Sequence, residues 1–146
     1  MPDDASVGSD IIVEITPSPI DPSEATGLVT PAAGALVTFV GTVRDKTDDR
    51  EVSSLSYEAY SSMASDVLRR IGEEAIDKWD IGKVALIHRV GDLQVGEISV
   101  LVAVAAPHRG EAFSACSYCI DTLKTEAPIW KKEIFTDGES HWVNHP

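Results

Sequence analysis

Five basic side chains gather in one short segment near the C-terminus, AAPHRGEAFSACSYCIDTLKTEAPIWKKE (105–133). The 146-residue chain has a formal net charge of −12, so this local positive charge runs against its composition. Cationic side chains that converge on one pocket bind carboxylates and phosphates through charge-assisted hydrogen bonds. The segment therefore predicts an anion-binding site, and its basic residues are His108, Arg109, Lys124, Lys131 and Lys132.

Lys124 lies on one side of a helix that the sequence predicts over residues 110–126. On a wheel of about 100° per residue, it falls on the shoulder of the apolar stripe. Its stem would lie along the core and its ammonium group would emerge at the edge of a cleft. A lysine near a helix C-terminus is also favoured by the helix dipole, so a snorkelling surface lysine is an alternative. The predicted stripe consists of Phe113, Cys116, Ile120, Leu123 and Ala127.

Lys131 and Lys132 follow Pro128, which ends the helix because the residue before a proline avoids helical angles. On a strand that begins at Ile129, side chains alternate between the two faces. The two neighbouring lysines therefore cannot both point into one pocket, and one of them is predicted to be a surface charge.

His108 and Arg109 open the same helix, where free backbone N–H groups and the positive end of the dipole attract anions. Cations at this end are unfavourable for stability, which favours a functional reason for them. The alternative for His108 is an ordinary loop histidine. Arg44 ends a predicted strand before the loop DKTDDR, and its alternative is a solvated surface arginine.

Several classes of function are disfavoured by composition. The acidic balance argues against general nucleic-acid binding, and residues 1–26 hold six acids and no lysine or arginine. No apolar run approaches the roughly 20 residues of a membrane helix, and the polar start is neither a signal nor a transit peptide, so a cytoplasmic protein is expected. Cys116 and Cys119 are most often core filler on a helix, and His141 and His145 lack a third ligand, so no metal site is predicted.

Strand and helix signals alternate along the chain in the order β, short α, β, β, α, β, β, α, β, β. This order predicts an α+β domain with a largely antiparallel sheet and two main helices. Residues 1–9 are predicted to be a disordered acidic leader and residues 10–146 a single domain. The runs GALVTFVGTVRD and SSLSYEAY are predicted to form a hairpin with a mobile tip at 45–51, and Asp137-Gly138 is a second hairpin turn.

Several blocks, in order, resemble the large, catalytic subunit of molybdopterin synthase. They are FVGTVRD, LSYEAY, IHRVGDLQVGE, VAVAAPHRGEAF and, above all, DTLKTEAPIWKKE, and the resemblance runs from about residue 10 to Val143. It implies an α/β hammerhead fold and dimerisation of the large subunits within a heterotetramer. It also implies a small β-grasp partner whose C-terminal Gly-Gly ends in a thiocarboxylate, and sulfur transfer from that tail to cyclic pyranopterin monophosphate.

The resemblance also implies roles for individual residues. Lys124 matches the family lysine at the thiocarboxylate terminus and Lys131 matches the second active-site lysine, so both are expected to be catalytic. Arg44, His108 and Arg109 match residues around the pterin phosphate. No metal or other cofactor is implied. Family members commonly continue past the WV pair with a basic tail, whereas this sequence stops at HWVNHP, so His145 or no residue is expected to replace that contact.

Two other classes of function remain open from the residues alone. One is a scaffold that binds a ubiquitin-like protein tail without catalysis. The other is an unrelated phosphate-binding enzyme that uses only the PHRG helix start.

Overall fold

The computed structural model describes residues 10–143, which include nine strands, one 3-10 helix and two α-helices. The predicted leader and His145 lie outside this range. Within it, no helix is long and apolar enough to cross a bilayer. The elements are β1 (Ile11–Thr16), a 3-10 helix (Pro22–Leu28), β2 (Ala35–Thr42), β3 (Lys46–Thr47), β4 (Arg50–Ala59), α1 (Ser61–Lys78), β5 (Lys83–Arg89), β6 (Gly91–Gln94), β7 (Ile98–Ala106), α2 (Arg109–Glu126), β8 (Ile129–Phe135) and β9 (Ser140–Val143).

The first sheet has the strand order β1-β5-β7-β2. Only the β1–β5 pair is parallel, while β7 runs antiparallel to both β5 and β2. The almost wholly apolar run of β7 is central, as its composition predicts, because a strand covered on both faces has no use for polar side chains. The two 18-residue helices pack on this sheet, so the α+β architecture with two main helices agrees with the sequence prediction.

The second sheet is built around β4, which pairs with β3, β6 and β8, and β8 pairs with β9. The β8–β9 hairpin turns at the predicted Asp137-Gly138 pair, and Gly138 has a φ of 91° that suits glycine. Strand β6 was not anticipated. Its four residues lie in the segment GDLQVG, which the sequence predicts to be a loop between two strands because glycine stands at both of its ends.

The predicted hairpin between β2 and β4 is wrong. Strand β2 pairs with β7 in the first sheet, whereas β4 belongs to the second. The chain crosses between the sheets near Val43, whose backbone bonds to Gly96 and Glu97. The hairpin forms within the predicted tip, where β3 meets the start of β4 across Asp48 and Asp49. Both aspartates have positive φ angles, 49° and 71°, which is the geometry of a two-residue hairpin turn.

Helix α2 buries a face richer in small residues than the predicted stripe. Phe113 is 61% exposed, so its predicted place in the buried stripe is corrected. The buried face of α2 includes Ala112, Ala115 and Cys119, and these small side chains allow it to approach the sheet and α1 closely. The helices are also tied by a hydrogen bond of 2.6 Å from the hydroxyl of Tyr118 to a carboxylate oxygen of Glu74.

Gly72 marks a close contact of α1 with the first sheet. A Cβ atom placed there would lie 2.8 Å from a methyl group of Ile11 and 3.4 Å from one of Val84. Gly110 is the matched helical glycine in α2, and a Cβ there would meet nothing within 4 Å.

We expect Gly72→Ala to lower the free energy of unfolding by about 1 kcal/mol. Overpacking a core costs roughly 1–3 kcal/mol, against a gain of up to about 1 kcal/mol in helix propensity. Gly110→Ala should be neutral or slightly stabilising. Urea unfolding of both variants measures the difference, and equal effects of the two substitutions would contradict the close contact.

His88 is the most deeply buried polar side chain of the core, with 2% exposure on β5. Its Nδ1 lies 2.7 Å from the backbone oxygen of Arg89, and its ring packs edge-on against Tyr57 with 4.9 Å between the centroids. Burial is the main cause that lowers the pKa of His88 from 6.5 to about 4, and the charge of Lys124 adds to the shift. The ring is therefore neutral in the folded protein at neutral pH.

Because the unfolded chain binds a proton at His88 below pH 6.5 and the folded chain does so only near pH 4, acid favours unfolding. Because of His88, we expect the free energy of unfolding to be about 3 kcal/mol higher above pH 6.5 than near pH 4. This difference is lost progressively as the pH falls from 6.5 toward 4. Urea unfolding of the parent and of His88→Gln between pH 7.5 and 4 isolates it. The parent should lose more stability than the variant, and parallel pH profiles would refute the buried neutral ring.

Candidate active site

A cavity of about 200 Å³ opens where the two sheets meet the C-terminal end of α2. Side chains from β4, β5, β7 and β8 form its walls, together with the last turns of α2 and the segment that follows β2. Its apolar lining consists mainly of Leu55, Val100, Ile120 and Leu123. The polar side chains that line it are those of Thr42, Arg44, Thr47, Tyr57, His88, Ser99, Lys124, Lys131 and Glu133.

Three of the predicted site residues, Arg44, Lys124 and Lys131, line this one cavity, although Arg44 is far from the two lysines in the sequence. Lys124 stands in the last turn of α2, where the negative end of the helix dipole favours a cation. The two sequence interpretations of Lys124, a lysine at the cleft edge and a lysine favoured by the helix dipole, are therefore compatible. Its position near the helix C-terminus suits the dipole and also borders the cavity. Arg44 follows β2 at the crossing between the sheets.

Lys131 is half-buried, and burial is the largest cause that lowers its pKa. The positive charges of Lys124 and Arg44 lower it further, whereas the carboxylate of Glu133 acts in the opposite direction. A lysine with a lowered pKa gives up a proton more easily than a free lysine does. The cavity thus combines three positively charged side chains with one buried carboxylate, and one of the three is an amine with a lowered pKa.

Strand parity separates the two neighbouring lysines as predicted. Lys131 is paired with Tyr57 of β4 and faces the cavity, whereas Lys132 lies on the other face. There its ammonium nitrogen lies 5.7 Å from the ring centroid of Trp142, within cation–π range.

Glu133 shares the inward face with Lys131 because it lies two residues further along β8. It is 8% exposed, and the hydroxyl of Thr47 donates a hydrogen bond of 2.5 Å to its carboxylate. This buried carboxylate offsets part of the positive charge on the cavity wall. The same alternation that selects Lys131 would have selected Glu133, which the sequence analysis missed.

A neutral polar wall of the cavity was also missed. It consists of His88 on β5, Tyr57 on β4 and Ser99 on β7, and the hydroxyl of Ser99 donates a hydrogen bond of 3.3 Å to the backbone oxygen of Gly41. Burial raises the pKa of Tyr57, so its hydroxyl stays protonated. The signal for His88 is one histidine inside the apolar run KVALIHRVG, where a polar ring must find a partner or a function.

His108 and Arg109 do not reach this cavity within one chain. His108 is the N-cap of α2 and Arg109 its first residue, and both are exposed. From Arg109 to Lys124 the helix axis rises roughly 22 Å, at about 1.5 Å per residue. The basic residues that the sequence grouped into one predicted anion site therefore lie at opposite ends of α2, with His108 and Arg109 at its start and Lys124 in its last turn.

The two cysteines are free and buried inside the core. Burial raises the pKa of Cys116 to about 11 and that of Cys119 to about 12, so both thiols are protonated and poorly nucleophilic. Among residues 10–143, no group of three metal-ligating side chains is assembled. The interpretation of the cysteine pair as core filler agrees with this placement.

Comparison with known proteins supports the sequence resemblance. A family model described as "MoaE protein" matches residues 15–126. A molybdopterin synthase catalytic subunit of Nostoc sp. is 49% identical over 132 residues, which cover 89% of this chain and 80% of that protein. The corresponding Bacillus subtilis subunit is 44% identical over 131 residues, covering 89% and 83%.

The fold is similar as well. The crystal structure of molybdopterin synthase from Staphylococcus aureus superimposes with a TM-score of 0.83 at 39% identity, and the match covers 93% of this chain and 96% of that one. Family model, full-length relatives and solved structure therefore agree, and they confirm the resemblance and the α+β fold that the sequence predicted. The chain belongs to the MoaE family, the family of molybdopterin synthase catalytic subunits.

Proposed function

We propose that this protein transfers sulfur from the C-terminal thiocarboxylate of a small β-grasp partner to cyclic pyranopterin monophosphate, and so forms the dithiolene of molybdopterin. The observation that carries the proposal is the convergence of Arg44, Lys124 and Lys131 on one cavity of an acidic chain. Both substrates are anions, so a cationic cavity matches the thiocarboxylate and the phosphate alike. The relatives named as catalytic subunits of this synthase support the assignment.

Lys124 is assigned to the thiocarboxylate. Its position at the cavity edge lets a tail enter from solvent and end against its ammonium group. As the sulfur attacks the pterin side chain, charge changes on the acyl group, and a fixed cation beside it lowers the barrier. Each transfer breaks one acyl carbon–sulfur bond, and an oxygen atom from water replaces the sulfur to leave a carboxylate on the partner.

Lys131 is assigned to proton transfer. Its lowered pKa brings the amine closer to the working pH, where a group can both give and take a proton. We assign it to the protonation of groups that leave the pterin side chain, first the phosphate and then water. Glu133 lies two residues away on the same face and counters the repulsion between Lys131 and the two other cations.

Arg44 is assigned to the pterin phosphate, and so are His108 and Arg109. Since the latter two lie roughly 22 Å from Lys124 along α2, they would serve the cavity of a second copy in a homodimer. Two such dimerised chains, each with one small partner, make the expected heterotetramer.

The free, reduced state of Cys116 and Cys119 suits a cytoplasmic setting.

Lys124→Ala is expected to lower the rate of sulfur transfer at least about 100-fold, the usual scale for the loss of one fixed electrostatic contact. The assay mixes the chain with thiocarboxylated partner and cyclic pyranopterin monophosphate, and it detects molybdopterin as its fluorescent oxidation product. Lys132→Ala is the matched control, because it removes the same charge from the outer face of β8.

Three outcomes of this assay are informative. Product from the parent and from Lys132→Ala, with almost none from Lys124→Ala, supports the synthase assignment. Equal losses in both variants would contradict the role of Lys124. Partner binding without product from the parent would favour a non-catalytic scaffold for a ubiquitin-like tail instead.

A mixed-dimer experiment tests the assignment of Arg109. Arg109→Ala and Lys124→Ala chains, each inactive alone, are co-expressed and the sulfur transfer of the mixture is measured. If Arg109 serves the cavity of the second copy, one cavity of each mixed dimer is intact and about a quarter of the parent activity returns. No recovery, in a mixture whose mixed dimers are verified by mass spectrometry, would place Arg109 in the cavity of its own chain, whereas activity of Arg109→Ala alone would place it outside the site.

A further inference from the structure

His88 presents one nitrogen that no group of the described chain satisfies. Its Nδ1 lies 2.7 Å from the backbone oxygen of Arg89, and a carbonyl oxygen can only accept a hydrogen bond. Nδ1 therefore carries the proton and donates it. In a neutral imidazole the other nitrogen, Nε2, then holds a lone pair and no proton. Among residues 10–143, no donor forms a hydrogen bond with Nε2.

The ring lies deep in the wall of the cavity. His88 is 2% exposed and lines the cavity, and Tyr57 covers it edge-on with 4.9 Å between the centroids. Because Nδ1 is turned to the backbone, Nε2 is the polar atom that the ring can offer to the cavity. A buried acceptor without a donor is unfavourable, so such an atom indicates a place where a ligand supplies the donor.

The chemistry of Nε2 limits the group that it can bind. An ionised thiocarboxylate and a phosphate oxygen have no proton to give, so neither pairs with a neutral imidazole acceptor. Burial and the nearby positive charge of Lys124 keep the ring uncharged, with a pKa of about 4. The cavity therefore combines cations, which bind the anionic end of a ligand, with one neutral acceptor, which requires an N–H or O–H group.

A cation of the same cavity points to the donor. Lys124 lines the cavity together with His88, its charge acts on the ring, and it is the residue assigned to the thiocarboxylate. In a peptide tail, the backbone nitrogen of the last residue is two bonds from the carboxyl carbon. We propose that Nε2 of His88 accepts a hydrogen bond from the backbone N–H of the terminal residue of the partner's tail, and that it thereby orients the thiocarboxylate against Lys124. This inference rests on the proposed function.

The assignment makes His88 a binding and positioning residue and gives the tail a specificity. The terminal residue needs a backbone N–H, so proline or an N-methylated residue should be rejected there even if its side chain is small. Binding that depends only on charge would not be weakened by proline or by N-methylation at this residue.

The test varies both ends of the proposed hydrogen bond. The small partner is prepared with its ordinary Gly-Gly carboxylate and, by semisynthesis, with N-methylglycine as the last residue. Calorimetry at pH 7.5 measures the binding of each form to the parent, to His88→Asn and to His88→Gln. Asparagine preserves a donor near the position of Nδ1 and removes the acceptor, whereas the longer glutamine extends an amide oxygen toward the position of Nε2.

For the parent, N-methylation should weaken binding about tenfold, the effect of one lost hydrogen bond. His88→Asn should bind the ordinary partner about tenfold more weakly and should show no further loss with the methylated partner. His88→Gln should bind nearly as the parent does. If methylation weakened binding equally in the parent and in His88→Asn, the methyl group would act by steric hindrance alone, and the proposal would be overturned.

A second measurement does not depend on whether a variant folds. The ¹⁵N resonance of Nε2 in the parent should move when the Gly-Gly partner binds and should not move when cyclic pyranopterin monophosphate alone is added. Movement with the pterin alone would assign the donor to the pterin and overturn the assignment to the tail. If the parent neither binds the partner nor transfers sulfur, the proposed function itself fails. If it transfers sulfur while Nε2 stays unchanged on partner binding, only the role of His88 fails.

Discussion

The mutual repulsion of three cations held at one cavity is the constraint on which the site depends. Arg44, Lys124 and Lys131 would separate if their side chains were free, and the lowered pKa of Lys131 reflects both its burial and this repulsion. The fold opposes it with two sources of negative potential, the C-terminal end of α2 beside Lys124 and the buried carboxylate of Glu133. Neither neutralises the cavity fully, so the cavity keeps a net positive charge.

Backbone geometry explains how the charges are held. Pro128 ends α2 and sends the chain directly into β8, so the last turn of the helix and the first inward residues of the strand share one edge of the cavity. Hydrogen bonding between β4 and β8 then sets which β8 side chains turn inward. The fixed register places Lys131 opposite Tyr57 and Glu133 opposite Leu55. A slip of one residue would turn Lys132 inward in place of Lys131 and would exchange the carboxylate of Glu133 for the apolar side chain of Ile134.

Local patterns in the sequence predicted those features that depend on the alternation of one strand or the end of one helix. The structure agrees with three predictions of this class: the inward direction of one lysine of the Lys131–Lys132 pair, the cleft-edge position of Lys124 and the Asp137-Gly138 turn.

The pairing of β2 was missed because no local pattern distinguishes an adjacent partner from the distant strand β7. Phe113 was misplaced because size suggested burial, whereas the helix contacts select small residues such as Ala112 and Ala115. His88 became visible as a site residue only when three separate strands brought it beside Tyr57 and Ser99.

The acidic surface and the cationic cavity act over different distances. At physiological ionic strength, charges more than about 8 Å apart are largely screened. The net charge of −12 therefore has little effect on an anion that has already entered the cavity, where the nearest charges are those of Arg44, Lys124, Lys131 and Glu133. Outside the cavity the same net charge disfavours nucleic acids and other polyanions, which are too large to enter. A small phosphate ester or the end of a single peptide chain can reach the cations without contacting the acidic surface broadly. Selection by size and by local charge thus results from concentrating positive charge in a cavity that is narrow and partly buried.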